Sequence, residues 1–236
     1  MSGASGLGVN EDSNVDGSRT SCDSPIGEIR GLVSKKISRI FPRGSVLFEE
    51  GQQPHGVYLL CEGRAKVSIG SPDGKTLVLR IAESGELLGV NAAISGQPYE
   101  TTLEALERCR LDFISREDLL NVLERDRKAC FGVARALSQE LTGVVEHTRL
   151  LLLSKSASEK LARLLIRWCD EHGKRTSQGI RIDFGLTHEE MAQIICSSRE
   201  TVTRLLADLK RKQIVSFADN GILIRNRKAL DLAARC

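Results

Sequence analysis

The chain has 236 residues, of which 41% are hydrophobic and 28% charged, with a formal net charge of +3. This length is enough to bury one or two hydrophobic cores, and the composition is that of a soluble globular protein. The charge is uneven: from Ser156 onward there are 15 Lys and Arg against 10 Asp and Glu, so the C-terminal third favours a polyanionic partner.

The sequence also excludes several classes of protein. The longest aliphatic run, Leu150 to Leu153, is too short to span a membrane, and the N-terminus lacks the basic start and apolar stretch of a secretory signal. The 7 Cys are scattered without a C-x-x-C pair, which is typical of reduced thiols and provides no zinc-finger spacing. We therefore expect a cytoplasmic protein without membrane contact, metal site or resident cofactor.

The N-terminal half has the pattern of a small β domain that follows a polar tail. Residues 1–24 are rich in Gly, Ser, Asn and Asp and are expected to be disordered, with a short helix around residues 26–34. Short β-type runs separated by glycines then follow, and Pro72-Asp73-Gly74 predicts a turn. Evenly spaced strands of this kind predict an antiparallel barrel or roll, with runs at residues 46–48, 57–61, 65–69, 76–81, 101–105 and 111–114.

The middle of the chain changes to a helical period. Ser115 and Asp118 resemble a capping box that opens a short helix. A longer helix follows, whose apolar positions are 4 or 3 residues apart in strict alternation: Cys130, Ala134, Leu137, Leu141, Val144, Thr148 and Leu151. A heptad seam of about three repeats favours dimerisation, although a helix lying on the core of its own domain gives the same pattern.

The C-terminal third predicts a helix-turn-helix. A helix over residues 157–172 with Leu161, Leu164, Leu165 and Trp168 on one face is followed by a polar loop over 173–179 and a strand over 180–182. Thr187, with Glu190 three residues later, then caps one helix, and Ser197 and Ser198 cap the next. The second helix has an apolar inner face formed by Val202, Leu205, Leu206 and Leu209.

Two short strands around an Asn-Gly turn follow, and a helix-turn-helix with a β-hairpin is a winged helix, an arrangement that reads DNA. Arg199, Glu200 and Arg204 lie in the first two turns of its second helix. Arg can bind guanine O6 and N7 with two hydrogen bonds, and Glu can accept one from cytosine N4. On an isolated helix, an R-E-x-x-x-R pattern would indicate only solvated charges. At the start of the second helix of a helix-turn-helix, we expect these side chains to contact bases.

The segment SSRETVTRLL resembles the recognition helix of the CRP/FNR family of bacterial transcription regulators, in the subgroup that carries R-E-x-x-x-R. The segment from Phe41 to Gly89 resembles the cyclic-nucleotide-type β-roll of that family, and the resemblance extends to about Leu230. It implies an α+β fold with an N-terminal antiparallel β-roll, a long dimerisation helix and a C-terminal winged helix-turn-helix. The implied domains are a sensor over 25–125, a dimerisation helix over 126–154 and a DNA-binding domain over 155–236.

The resemblance also implies how such a chain acts. A homodimer would bind a palindromic GTGA-type site on double-stranded DNA and contact RNA polymerase. Arg199, Glu200 and Arg204 would read bases, while Thr187, Ser198 and Thr201 would contact phosphates. The dimer seam would consist of Ala134, Leu137, Leu141, Val144, Thr148 and Leu151. Cys196 departs from the pattern, because many relatives have Gly at this turn and a positive φ would strain a Cys side chain.

The effector region departs further from that pattern. Nucleotide-binding members carry a Glu after the cassette glycine and a later Arg that binds the cyclic phosphate. Here the Arg position falls at Tyr99, followed by Glu100, and the carboxylate position falls near Val90 or Asn91, with Glu86 close by. A phosphate beside Glu100 without a cation is unfavourable. We therefore expect a degenerate pocket (Gly85, Glu86, Val90, Tyr99 and Glu100) that does not bind cAMP in the family manner.

Other sensors of the family lack their ligands here. An iron–sulfur cluster needs several N-terminal Cys, and only Cys22 lies in that region; the His residues are isolated and give no haem motif. Cys61 and Cys109 are expected to be inert core thiols. No catalytic motif is present, which argues against an enzyme. The alternatives to a regulator with an unknown or absent effector are a nucleotide-responsive regulator and a cyclic-nucleotide-binding regulatory subunit of an enzyme.

Overall fold

The computed structural model describes residues 36–183, 185–218 and 221–234. The predicted tail over residues 1–24 and the predicted helix around 26–34 lie outside the described residues. In the part of the chain that is described, the order is the predicted one: a β domain, a long helix, and then a helical domain with a small sheet. The predicted α+β fold class is confirmed.

Eight strands form the N-terminal roll as two antiparallel sheets that share a core, with strand orders β1-β8-β3-β6 and β2-β7-β4-β5. Their bounds are β1 Ile37–Phe41, β2 Val46–Phe48, β3 Gly56–Glu62, β4 Ala65–Gly70, β5 Thr76–Ala82, β6 Leu87–Leu88, β7 Thr102–Ala105 and β8 Cys109–Ser115. Gly74, at φ +80°, occupies the predicted turn between β4 and β5. Six of the strands match predicted runs.

Three elements of the roll were not predicted. Strand β1 is mostly exposed, so its side chains do not alternate between apolar and polar, and β6 has only two residues. Helix α1, Val90–Ser95, is a short helix between two left-handed glycines, Gly89 and Gly96. All three depend on the rest of the roll for their hydrogen bonds or their packing, which is why sequence periodicity does not reveal them.

Two helices follow the roll. In α2, Arg116–Arg125, the Ser115 hydroxyl accepts a 3.0 Å hydrogen bond from the backbone N–H of Asp118, so the predicted cap is confirmed. Helix α3 spans Arg127–Leu153 and begins at Asp126, whose carboxylate caps its first turn. Its inner side packs against the core of the roll through Ala129, Val133 and Ala136.

The C-terminal part encloses a second core. Its elements are α4 Ala157–His172, β9 Lys174–Thr176, β10 Gly179–Ile182, α5 His188–Ile194, α6 Arg199–Arg211, β11 Val215–Ala218, β12 Gly221–Ile224 and α7 Arg227–Ala233. The predicted face of α4 (Leu161, Leu164, Leu165 and Trp168) is buried in that core. The sheet has the strand order β11-β12-β10-β9.

Two local predictions in this part were wrong. The loop predicted over residues 173–179 contains strand β9, an edge strand whose side chains are all exposed and therefore show no apolar alternation. Gly221 was predicted to lie in an Asn-Gly turn, but it pairs with Ala218 in the ladder of the hairpin. Residues 219 and 220, which connect the two strands, lie outside the described residues.

The roll and the C-terminal part contact each other directly. Val78 of β5 belongs to the C-terminal core. Arg43 of the roll forms a 3.1 Å ion pair with Glu190 of α5, and His172 of α4 lies 3.2 Å from the Glu83 carboxylate. Helices α4 and α5 are thereby attached to the roll.

Candidate nucleic-acid interface

The first helix of the predicted helix-turn-helix begins with a complete capping box. The Thr187 hydroxyl accepts a 3.1 Å hydrogen bond from the backbone N–H of Glu190. The Glu190 carboxylate accepts a 2.6 Å hydrogen bond from the backbone N–H of Thr187. Met191 and Ile194 are buried on the inner face of the helix. These contacts fix the start of α5 and the direction in which the chain enters the turn.

The turn between the two helices contains a strained residue. Cys196 is exposed and has a φ of 51°, in the left-handed region that disfavours side chains with a Cβ. The Ser197 N–H donates a 2.9 Å hydrogen bond to the carbonyl oxygen of Ala192, which closes the turn. From the sequence, strain at Cys196 was expected if its φ were positive, and the structure shows that it is positive.

The second helix presents the predicted basic and acidic side chains to solvent. Ser198 caps α6 by accepting a 3.2 Å hydrogen bond from the backbone N–H of Thr201. Burial of Val202, Leu206 and Leu209 against the C-terminal core fixes the rotation of the helix. Consequently Arg199, Glu200 and Arg204 are all exposed on the opposite side.

The charges on this outer face are available to a ligand. Neither Arg199 nor Arg204 forms an ion pair with a described residue. The backbone N–H of Glu200 and the hydroxyl of Ser198 donate to the Glu200 carboxylate, and these bonds lower its pKa. The face therefore combines two free guanidiniums with an ionised acceptor, which is the set of groups that base-edge recognition in a major groove requires.

The three residues predicted to contact phosphates lie near the starts of the two helices. Thr187 and Ser198 are exposed and act as the caps of α5 and α6, and Thr201 is half-buried with its hydroxyl 3.0 Å from that of Ser198. The Thr187 hydroxyl donates to the Glu190 carboxylate and the Ser198 hydroxyl to the Glu200 carboxylate, so each would have to redirect its proton to bind a phosphate. The backbone N–H groups at the start of a helix also attract anions.

The seam predicted on the long helix is largely exposed in the single chain. Leu141 is 65% exposed and Val144 38%. Ala134 and Thr148 are also exposed, while Leu137 and Leu151 are half-buried. Three further apolar side chains, which the heptad count missed, lie exposed next to the seam: Phe131, Val145 and Leu152. They are 14 and 7 residues apart at positions next to the counted ones, so a wider window would have found them.

Of the residues predicted to form a degenerate effector pocket, two lie in the core and two line cavities. Val90 and Tyr99 are core residues with 1% and 3% of their surface exposed. The Glu86 carboxylate pairs with Arg80, and the Gly85 N–H donates to the carbonyl oxygen of Leu60. Glu100 lines one cavity between the roll and α3, and Glu86 lines a second cavity that the roll forms with α3 and α4. Val90 and Tyr99 therefore belong to the core, whereas Glu86 and Glu100 line cavities, and a single shared pocket stays a prediction.

The cavity that Glu100 lines, which we term the roll–helix cavity, has a volume of about 510 Å³. Besides Glu100, its polar lining residues are Asn91 from α1, which the sequence placed near the carboxylate position, Thr101, and two residues that sequence reasoning missed, Arg80 from β5 and Glu140 from α3. They are far apart in the sequence and no motif connects them. The rest of its lining is mostly apolar: Val67, Ile69, Leu79, Leu137, Leu141 and Val144.

Cys61, Cys109 and His147 are packing groups in the core, whereas Cys130 and Cys196 are exposed. Cys61 and Cys109 are buried as predicted, and burial raises the pKa of the Cys109 thiol. His147 is buried with no hydrogen-bond partner for either ring nitrogen among the described residues. Burial and the neighbouring Arg167 lower the pKa of His147 to about 4. Among residues 36–183, 185–218 and 221–234, no three His, Cys, Asp or Glu side chains are grouped to hold a metal ion.

Within the same described ranges, no helix is both long and apolar enough to cross a lipid bilayer.

Comparisons with known proteins match both parts of the chain. Residues 38–126 match the family model described as cyclic nucleotide-binding domain, and residues 159–232 match the Crp-like helix-turn-helix domain. The chain is 28% identical to the anaerobic regulatory protein of Bacillus subtilis (strain 168), over 84% of this chain and 83% of that protein. It is 24% identical to the CRP-like cAMP-activated global transcriptional regulator of Mycobacterium tuberculosis (strain ATCC 25618 / H37Rv), over 83% and 87% of the two chains.

A solved structure agrees with these matches. The crystal structure of a CRP-family transcriptional regulator from Thermus thermophilus is 27% identical, with a TM-score of 0.70 over 84% of this chain and 97% of that chain. The relatives are transcription regulators with helix-turn-helix domains, in agreement with the prediction of a regulator and not an enzyme.

Proposed function

Because this chain belongs to the CRP/FNR family of bacterial transcription regulators, we propose that it acts as a homodimer on a two-fold symmetric DNA site with GTGA-type half-sites. The observation that carries this proposal is the outer face of α6, where Arg199, Glu200 and Arg204 are exposed together at the start of the helix. The buried inner face of α6 holds these three side chains outward without help from the ligand.

Base recognition follows from the chemistry of the three side chains. Each Arg can donate two hydrogen bonds to O6 and N7 of a guanine, and the Glu200 carboxylate can accept one from cytosine N4. A GTGA half-site presents two guanines on one strand and two cytosines on the other. Thr187, Ser198 and Thr201, with the N–H groups at the helix starts, would bind flanking phosphates and fix the register of the helix in the groove.

Dimerisation is supported by the exposed apolar face of α3. A seam that includes Leu141 and Val144, flanked by Phe131, Val145 and Leu152, leaves much apolar surface in water in a single chain. Packing against the same face of a second copy would bury it, with side chains interlocking every three or four residues. The two α6 helices of such a dimer would read half-sites about one helical turn apart.

The roll is proposed to sense something other than cAMP bound in the family manner. Tyr99, at the position of the phosphate-binding Arg, is a buried core residue and provides no cation. A second candidate, a nucleotide-responsive regulator, is favoured by the match to a cyclic nucleotide-binding domain and by the Mycobacterium tuberculosis relative that is named as cAMP-activated. A regulatory subunit of an enzyme is disfavoured, because it has no use for the outer face of α6.

As a transcription regulator, the dimer would act in the cytoplasm, where bacterial DNA lies, and would contact RNA polymerase there. Site selection from a random pool of duplexes tests the proposal without assuming a sequence. Selection of paired, inverted GTGA-type half-sites by the intact protein is the expected result. Enrichment of no sequence, either alone or with a panel of effectors, would contradict it. Arg204→Ala is the matched variant, and its selected half-sites should lose preference at a single base pair.

A further inference from the structure

The roll–helix cavity is a built void with mainly apolar walls. Leu79 of β5 forms part of one wall, and Leu137, Leu141 and Val144 of α3 form the other. Its volume of about 510 Å³ lies in the range of small-molecule sites. Leu141 and Val144 also belong to the proposed dimer seam, so a second copy packed on that seam would close the open side of the cavity.

The polar end of the cavity is negatively charged. The Asn91 amide donates a hydrogen bond to the Glu100 carboxylate. Glu140 has no hydrogen bond to another described residue, so its carboxylate is left for a ligand. Burial raises the pKa of Glu140, and the negative charges of Glu100 and Glu86 raise it further, against a lowering by Arg80.

The single cation that lines the cavity among the described residues is already neutralised. Arg80 pairs with Glu86. An incoming phosphate or carboxylate would find only the buried Nε–H of Arg80 without a described partner unless it displaced Glu86, and it would still lie near Glu100 and Glu140. Glu100 is exposed and Glu140 is half-buried, so water screens part of their charge, but a third anion beside them is still unfavourable, whereas a cation would relieve their mutual repulsion.

We infer that the roll–helix cavity binds a protonated organic amine with an apolar body, its ammonium group between Glu140 and Glu100 and its body against Leu79, Leu137 and Leu141. This inference rests on the proposed function, in which the roll is the sensor domain. An ammonium beside Glu140 would form charge-assisted hydrogen bonds with it and favour its ionised form. Affinity should therefore rise with pH while Glu140 ionises, for as long as the amine stays protonated.

Isothermal titration calorimetry of the full-length protein tests this inference. The probe is 2-phenylethylamine, and 3-phenylpropionate is its counterpart with the same ring and the opposite charge. We expect binding of the amine, at least about tenfold weaker binding of the acid, and about tenfold weaker binding of the amine to Glu140→Gln. Glu146→Gln is the matched control, since Glu146 is an exposed carboxylate of α3 outside the lining of the cavity. The affinity of this variant for the amine should equal that of the parent protein.

Three results would overturn the inference: no binding of the amine, equal or tighter binding of the acid, or equal affinity of Glu140→Gln and the parent protein. The same preparations are also tested for discrimination between a GTGA palindrome and a scrambled duplex. Intact DNA discrimination without amine binding would reject the ligand class alone. If no preparation discriminated between the two duplexes, with or without the amine, the proposed DNA-binding function would be rejected, and the ligand class would lose its basis.

Discussion

The ring of Tyr99 stacks on the ring of Phe48, with the centroids 4.0 Å apart and the planes 14° apart. The Tyr99 hydroxyl also donates a 2.6 Å hydrogen bond to the carbonyl oxygen of Gly56, so the side chain connects two parts of the core of the roll. A group held in this way is structural, and its position in the cassette is closed to a phosphate ligand.

Replacing Tyr99 by Phe should lower the free energy of unfolding by about 1–2 kcal/mol, because the buried carbonyl oxygen of Gly56 loses its donor. Urea denaturation measures the change. Tyr58→Phe is the comparison: its hydroxyl donates a longer bond of 3.2 Å in a half-buried position, and we expect a smaller loss. Equal losses would show that the Tyr99 hydroxyl has no special structural role.

Replacing Arg199 or Arg204 by Ala should cost about 1–3 kcal/mol of binding free energy on a GTGA site and relax specificity at one base pair. The reason is the loss of two hydrogen bonds to a base edge. Arg211→Ala is the control, because Arg211 lies at the far end of α6 in an ion pair with Asp208. Competition with duplexes altered at single positions measures the effect. A loss of the same size on every duplex would identify a phosphate contact instead.

Leu141→Glu should split the dimer, because it places a charge at the centre of an apolar seam. Sedimentation equilibrium should give the mass of one chain for this variant and of two chains for the parent. Leu232→Glu is matched in exposure, since Leu141 and Leu232 are each 65% exposed, but it lies on α7 away from the seam. That control should remain a dimer. An unchanged mass for Leu141→Glu would disprove the heptad argument.

Stability should fall in mild acid because of His147. Its pKa is about 4 in the folded chain, below the ordinary value of 6.5. Between those values the unfolded chain binds more protons, so stability is full above pH 6.5 and is lost as pH falls toward 4, by roughly 3 kcal/mol for a shift of this size. His147→Leu should remove this dependence, as followed by urea denaturation at several pH values. His188→Gln, at a less buried site, should retain it.

A feature could be predicted from the sequence when the residues that form it lie close together along the chain. The cap at Thr187 and the inner face of α6 depend on residues within a few positions of each other, so pattern alone found them. The positive φ at Cys196 follows from the turn that joins two helices. The roll–helix cavity depends on Arg80 and Glu140, which are brought together only by packing of α3 on the roll, and no local pattern encodes that contact.

The burial of Val90 and Tyr99 was not predicted for the same reason, since it depends on contacts between residues far apart in the sequence. Alignment of the cassette placed Val90 and Tyr99 at ligand positions, but the apolar body of each side chain is buried in the core. The spacing of apolar residues does not reveal this burial, because helix α1 interrupts the two-residue period of the strands in that segment. Strand β9 was missed for a different reason, since an exposed edge strand carries no apolar signal.

The central claim is that α6 reads a GTGA palindrome as part of a dimer. The most direct test is fluorescence anisotropy of the purified protein, without added effector, on a GTGA-N6-TCAC duplex and on a scrambled duplex at physiological salt, where nonspecific phosphate contacts are weakened. We predict tight binding to the palindrome and binding to the scrambled duplex that is weaker by at least about a thousandfold. Equal and weak binding to both duplexes, without effector and again with each member of a panel of effectors, would contradict the account.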